Sequence, residues 1–327
     1  MAEVTRWGIL GTGFIAHQFA RGLAAADGVK LVAVGSRTAK AAEAFGEEFN
    51  VPHRHASYAA LAEDPEVDAI YISTPHPFHK SNTLLCLGAG KAVLCEKPFA
   101  INRREAEAMV AFAREKQVFL MEAMWTRFTP IMGKVRDLLR DGAIGGVRMI
   151  NADFGFRTDF NPKSRLFDLD LGGGALLDVG IYPVSLASMI LGEPANIVST
   201  AQRGATGSDE QNAMLFSYPG GEIAILYSAT RTRTPWEATI MGTEGSIRIH
   251  ADWWRPHTLT LKRDGAPDET IHLPFKGNGY EYEAEEVGRC LRAGLLESPL
   301  LTHAETLAIM GAMDTVRRQW GLVYPTE

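Results

Sequence analysis

Three residues of this chain have the types and spacing for proton and charge transfer at a carbinol: Lys97, Asp178 and Tyr182. Lys97 stands in Cys95-Glu-Lys-Pro98, at the end of an apolar run. A side chain at the carboxyl end of a parallel strand points into the crevice where open α/β sheets bind their ligands. An ammonium there can hydrogen-bond a substrate hydroxyl and hold positive charge beside a developing alkoxide. Pro98 biases Lys97 toward an extended backbone. Asp178 and Tyr182 follow Gly172-Gly-Gly174, and their separation by four puts both on one face if the segment is helical. A phenol with its ordinary pKa of about 10 is a poor proton carrier at neutral pH, and a neighbouring ammonium favours the phenolate. The expected roles are Tyr182 as proton acceptor, Lys97 as charge stabiliser, and Asp178 as the group that orients the substrate or the lysine. Each has an ordinary alternative: a strand-end surface lysine, a core tyrosine with its hydroxyl at the edge, and a carboxylate favoured at a helix start by the dipole.

Hydride chemistry needs a carrier, and the N-terminal residues contain a place for one. Gly11-Thr12-Gly13-Phe14-Ile15-Ala16 is a GxGxxA turn, preceded by the apolar run from Trp7 and followed by the helix-period segment His17 to Ala26. The first glycine allows the tight turn, the second lets a pyrophosphate approach the backbone, and alanine at the third position keeps helix close to strand. Phosphate charge then rests on the helix N-terminus. The second strand ends Gly35-Ser36-Arg37-Thr38, without the carboxylate that would hold a free ribose diol. Arg37 and the hydroxyls of Ser36 and Thr38 suit a 2′-phosphate, so NADP is expected ahead of NAD; the alternative is that Arg37 is a solvated loop arginine. Thr74, Pro75, His76 and His79 end the fourth strand, and Glu96 and Lys97 end the fifth, so both sets are expected near the nicotinamide. Helix-start histidines with structural hydrogen bonds are the other reading of His76 and His79.

These groups must be carried by a scaffold, and the apolar pattern describes one. Trp7-Gly-Ile-Leu, Leu31-Val-Ala-Val, Ala69-Ile-Tyr-Ile, Ala92-Val-Leu and Val118-Phe-Leu alternate with helix-period segments such as Ala39 to Phe49 and Arg103 to Lys116. That alternation predicts α/β architecture, a doubly wound parallel sheet of Rossmann type over residues 1–123. Beyond it, residues 124–327 read as an α+β substrate domain. A helix at Ile131 to Arg140 and a strand at Val147 to Phe156 lead to a long apolar helix reaching Leu191, opened by Gly172-Gly-Gly174. Short alternating strands from Ile197 to Leu273 follow, with turns at Pro219-Gly-Gly, Gly242-Thr-Glu-Gly and Asp264-Gly, and imply a large, mostly antiparallel open sheet. Helices at Glu281 to Ala293 and His303 to Arg318 close the chain, the last either completing this domain or packing back on the first.

Composition sets the outer limits. The 327 residues are 46% hydrophobic and carry 33 Lys+Arg against 39 Asp+Glu, a net charge of -6 without a clustered basic face, which excludes a nucleic-acid footprint. Cys86, Cys95 and Cys290 are scattered and odd in number, so they read as reduced thiols of a cytoplasmic protein rather than a disulfide framework. No signal segment is evident and no stretch is expected to approach the roughly 20 apolar residues of a bilayer span. His53 and His55 flank Arg54 without a carboxylate or cysteine at ligand spacing, so no metal is expected there. Trp125, Arg127 and Phe156, with Phe154, Phe160 and Trp236, are candidates for a substrate pocket, since rings stack on the apolar faces of sugars and flat diols; core or interface packing is their alternative.

Gly8-Ile-Leu-Gly-Thr-Gly13, Thr74-Pro-His-Pro-Phe-His79, Cys95-Glu-Lys-Pro98, Met121-Glu-Ala-Met-Trp-Thr-Arg-Phe128 and the Asp178 to Tyr182 segment resemble the glucose-fructose oxidoreductase / inositol dehydrogenase / MocA family over nearly the whole chain. The last two motifs are similar to the branch of dimeric dihydrodiol dehydrogenase and NADP-dependent D-xylose 1-dehydrogenase. The resemblance implies catalytic roles for Lys97 and Tyr182 with Asp178 assisting, a sugar or cyclic trans-diol as substrate, and a homodimer or dimer of dimers through the C-terminal sheet. Inositol-type relatives place a histidine where Tyr182 stands, which disfavours an inositol. Rival readings stay open: a keto-sugar or anhydro-sugar reductase using the same residues, an inositol-type dehydrogenase, and a non-catalytic NADP-binding regulator, against which the presence of both Lys97 and Tyr182 counts.

Overall fold

In the computed structural model, which describes residues Val4 to Glu327, the first half alternates strand and helix. The order is β1 (Thr5–Leu10), α1 (Phe14–Leu23), β2 (Val29–Gly35), α2 (Ala39–Glu48), β3 (His53–His55), α3 (Tyr58–Ala62), β4 (Ala69–Ile72), α4 (His79–Gly88), β5 (Ala92–Glu96), α5 (Arg103–Lys116) and β6 (Leu120–Ala123). The strands form one sheet in the order β3-β2-β1-β4-β5-β6, every pair parallel. Each residue of β4, β5 and β6 is buried, as expected of strands with helices on both faces, which is why they read as continuous apolar runs. Helices α1 and α5 bury one stripe each, Ala16, Phe19, Ala20 and Leu23 in one and Ala106, Met109, Val110 and Ala113 in the other. Strand order reverses between β1 and β4, the switch point where such sheets open a crevice at their carboxyl ends. The two ends are tied there, Ser73 N–H donating to Leu10 O at 3.0 Å.

The second half opens with α6 (Pro130–Arg140) and β7 (Val147–Gly155), continues through α7 (Ile181–Leu191), and then runs through β8 (Asn196–Arg203), β9 (Asp209–Ser217), β10 (Ile223–Ala229), β11 (Ala238–Gly242), β12 (Gly245–Ile249), β13 (Thr258–Arg263) and β14 (Glu269–His272). They make an eight-stranded sheet, β14-β13-β12-β11-β7-β10-β9-β8, antiparallel except for β7 against β10. Alternation holds in β9 from Gln211 to Phe216, where Met214 and Phe216 are buried and Leu215 between them is exposed. Leu215 pairs in register with Val198 on one side and Ile225 on the other, so an exposed apolar row crosses three strands of the open face.

Two helices complete the chain, α8 (Glu281–Arg292) and α9 (His303–Gln319). By packing the chain divides into two units: one takes residues to Ala100, Arg104–Trp125 and Lys276–Thr306, the other Ile101–Arg103, Thr126–Phe275 and Leu307–Glu327. Segment Lys276–Thr306, expected in the second domain from its place in the chain, therefore groups with the first.

The apolar helix expected after Gly174 departs from the expectation in two respects. Leu176–Gly180 is a π-helical turn, and the α-helical backbone begins at Ile181. Such single-turn insertions are frequent at functional sites. The run Leu169–Leu191 is also long and apolar enough to cross a membrane by composition, contrary to the expectation that no stretch approaches that length. Most of it is buried inside the second unit, the environment that an all-round apolar helix requires.

Candidate active site

At the end of β1 the chain turns through Gly11 at φ +105°, a conformation open to glycine. A Cβ at Gly11 would sit 2.8 Å from Ser73 Oγ, so the residue is needed for the close approach as well. Gly13 is the N-cap of α1, no side chain caps that terminus, and a Cβ at Gly13 would meet nothing within 4 Å. The backbone amides at Phe14 and Ile15 thus face a space that a diphosphate fits, with the helix dipole favouring its charge. At the end of β2, Ser36 is buried, its hydroxyl 3.3 Å from Thr12 Oγ1, and Arg37 is exposed. Thr38 caps α2, its Oγ1 accepting from Ala41 N–H at 3.3 Å. No carboxylate stands among Ser36, Arg37 and Thr38, and these three can hold a 2′-phosphate.

The ends of β4 and β5 are joined by His79. It is fully buried, with Nε2 2.8 Å from Thr74 O and Nδ1 2.9 Å from Pro98 O, so one imidazole bridges the Thr74-Pro75 turn and the loop that carries Lys97. Burial lowers its proton affinity while the carbonyls of Thr74, Pro98 and Phe99 pull the other way. His76 is buried beside it, the two rings 5.7 Å apart. Glu96 accepts from the Tyr71 hydroxyl with one oxygen and from Lys97 N–H at 3.0 Å with the other. Glu122, quoted only as part of a motif, also holds the loop: Oε1 accepts from Phe99 N–H and Oε2 from the Thr306 hydroxyl, each at 3.1 Å. A second carboxyl that sequence reasoning missed, Glu283, is completely buried in this unit; burial first, then the charge of Glu96, push it well above the usual carboxylate range. Trp125 is buried and stacks on Tyr280 with centroids 4.8 Å apart.

In the second unit, Asp178 lies in the π turn and Tyr182 in the first turn of α7, both buried. Asp178 accepts from Arg165 Nη1 at 2.8 Å, a half-exposed arginine on the preceding loop that no sequence motif had marked. Tyr182 packs against Phe154 (centroids 5.3 Å), and Phe154 stacks on Trp254 at 3.5 Å with planes 11° apart. Phe156 and Trp236 extend this aromatic wall, Phe156 lying 6.4 Å from Phe154 and Trp236 standing edge-on to Trp254. Phe160 is exposed and leans on Phe167 instead. Arg127 is only 3% exposed. Its Nε and Nη2 donate to Ser185 Oγ at 3.0 Å and Ser185 O at 2.8 Å, so it braces α7 one turn beyond Tyr182.

The π turn has its own support. Asp209, at the start of β9, accepts from Leu176 N–H and from Asn212 Nδ2 through one oxygen, both at 2.8 Å, while the other oxygen is buried without a partner. A Cβ at Gly174 would lie 2.2 Å from that second oxygen, which is why the segment needs a glycine there at φ +132°. Burial pushes the Asp209 carboxyl up to about 7 against the pull of these donors. A folded-state value above the unfolded one means the native chain binds the proton more tightly. Stability therefore falls as pH rises from about 4 to about 7 and levels off above that. Asp209→Asn keeps an acceptor for Leu176 and removes the titration. The variant is expected to melt several degrees above the parent at pH 8 and close to it at pH 5, in thermal scans at both pH values.

A family profile described as an oxidoreductase family with an NAD-binding Rossmann fold matches residues 5–124, and the GFO/IDH/MocA C-terminal domain matches residues 132–248. Trans-1,2-dihydrobenzene-1,2-diol dehydrogenases from Danio rerio and Homo sapiens are 40% and 36% identical to the chain, each alignment covering 98% of both proteins. A 3-ketoreductase from Actinomadura kijaniata, crystallised with NADP and TDP-benzene, superimposes with a TM-score of 0.85 at 27% identity over 97% of this chain and 98% of that one. An aldose-aldose oxidoreductase from Caulobacter crescentus, at 24% identity, shares the fold with a TM-score of 0.89 over 98% of this chain and 100% of its own. The turn built for a diphosphate, the two-sheet architecture and these full-length similarities agree: the chain belongs to the Gfo/Idh/MocA family of NAD(P)-dependent oxidoreductases.

Proposed function

We propose that the chain uses NADP to oxidise a secondary carbinol carried on a ring, a cyclic trans-diol or a pyranose sugar, and that the same groups run the reverse reduction. One observation carries the ring: Tyr182 stands beside Phe154, itself stacked on Trp254, so the phenol that moves the proton adjoins an apolar surface suited to the flat face of a ring. The diol relatives named above support the same class, and the end of β2, which bears Arg37 and no carboxylate, supports NADP. A bound nicotinamide supplies hydride transfer. Tyr182 Oη takes the carbinol proton as the hydride leaves the same carbon, so the carbinol becomes a carbonyl, a ketone or, at an anomeric carbon, a lactone, and one proton passes on to solvent. Lys97 Nζ donates to the same oxygen and stabilises its developing charge. Asp178, fixed by Arg165, accepts from the neighbouring hydroxyl and sets which carbon reacts.

The test is a substrate panel followed by NADPH absorbance: a trans-dihydrobenzene diol, D-xylose, D-glucose and myo-inositol. Turnover of the diol or of a pyranose, with kcat/KM at least about tenfold above that of inositol, is the expected result. Tight NADP binding with no turnover of any member would favour a regulator over an enzyme.

A further inference from the structure

The β3 edge of the first unit holds a side-chain cluster that the oxidoreductase chemistry does not use. His53 and His55 are two apart on a strand, so both leave the same face, and Arg54 between them points the other way, to Glu43 on α2. The sequence offered these histidines no carboxylate, and folding supplies one. Asp64, 11 and 9 residues further on, places Oδ2 2.7 Å from His53 Nδ1 and 2.8 Å from His55 Nε2. All three ligand atoms lie within 4.8 Å of one another. Asp64 is 5% exposed, whereas both imidazoles are half-buried and give the cluster an open side toward solvent.

The carboxylate is held before any ion arrives. Its Oδ1 accepts from Glu66 N–H at 2.9 Å, and the surrounding turn is clamped by Lys91 Nζ, which donates to Asp64 O at 2.6 Å and Val67 O at 2.8 Å. Support of this kind around a ligand fixes its direction and raises affinity.

We propose that His53, His55 and Asp64 form a binding site for a late first-row divalent cation, Ni²⁺ or Cu²⁺ ahead of Zn²⁺, with water completing the shell. Two imidazole nitrogens select such ions over Mg²⁺ and Ca²⁺, which take oxygen ligands. The affinity order of nitrogen and oxygen sites, rising through Ni²⁺ to Cu²⁺ and falling at Zn²⁺, chooses among them. The three ligand atoms are close enough to converge on one ion. Without an ion, Asp64 Oδ2 accepts two imidazole N–H bonds and the cluster is a hydrogen-bonded brace for a three-residue edge strand. With one, the same atoms cross-link β3 to the turn before β4.

The experiment uses the full chain without a histidine tag, stripped with chelator and titrated calorimetrically with NiCl₂, with MgCl₂ in parallel. Expected are about one Ni²⁺ per chain, no Mg²⁺ binding, affinity reduced at least about tenfold in His53→Gln and in Asp64→Asn, and a melting temperature that rises with Ni²⁺ in the parent but in neither of these two variants. His272→Gln, which breaks up a histidine pair outside the cluster, His257 and His272 with rings 6.5 Å apart, should leave the binding unchanged. His53→Gln alters a half-exposed side chain, and circular dichroism checks that it folds, so a loss of binding there is read as loss of a ligand. Absence of saturable Ni²⁺ binding, or binding undiminished in both cluster variants, overturns the site and leaves the hydrogen-bonded brace.

Discussion

Replacing Tyr182 by phenylalanine is expected to lower kcat by about 10²–10⁴ while the dissociation constant for NADP stays within about twofold. The substitution removes one oxygen and keeps the ring, so the contact with Phe154 and the burial of α7 survive. It leaves the glycine turn, Ser36 and Arg37 untouched, and these are the groups assigned to the cofactor. Loss of the proton acceptor raises the barrier without changing the ring-binding surface, so KM should move far less than kcat. Titrating NADPH fluorescence and measuring steady-state rates on the same preparation separates the two effects. A rate within about threefold of the parent would remove Tyr182 from the proton path, because general-base losses of that size fall well below the usual range. Arg127→Ala, in contrast, would unseat two hydrogen bonds to Ser185 and act through stability, since that guanidinium is directed at α7.

What could be read in advance follows from the range of the interactions. The parallel sheet, the glycine turn and the strand-end positions of Thr74, Glu96 and Lys97 depend on local periodicity and on residue types that turns demand, and these are written in consecutive residues. The antiparallel strands of the second unit were visible for the same reason. What stayed hidden joins residues distant in the chain. Asp209 supports the π turn from 33 positions away, Trp254 reaches Phe154 from the turn between β12 and β13, and Glu122 meets Thr306 across 184 positions. The π turn itself adds a residue to one helical turn, which a period of 3.6 cannot announce; Gly180 permits it, since a Cβ there would meet Ser228 Oγ at 2.8 Å. Asp64 shows the cost of judging ligands by spacing. His53 and His55 have no carboxylate at ligand spacing in the sequence, and the turn before β4 folds the Asp64 carboxylate onto both.

Replacing Arg37 by alanine is expected to weaken NADP by about 10- to 100-fold and NAD by less than about threefold, measured as dissociation constants by fluorescence. The reasoning is by elimination at the end of β2. Ser36 is buried with its hydroxyl near that of Thr12, and the Thr38 oxygen already accepts a backbone proton as the cap of α2. Both hydroxyls can donate to a phosphate, but neither supplies charge. Arg37 is exposed and adjacent, and it carries the charge that a dianion needs in place of water. Its contribution is electrostatic and near the surface, so salt must weaken it. Raising ionic strength should therefore narrow the gap between NADP and NAD in the parent and leave the variant almost unaffected. Equal loss of both cofactors in Arg37→Ala, or a salt response unchanged by the substitution, would mean that the preference is set elsewhere. The two hydroxyls would then be the groups to replace, Ser36→Ala before Thr38→Ala, because removing Thr38 also uncaps α2.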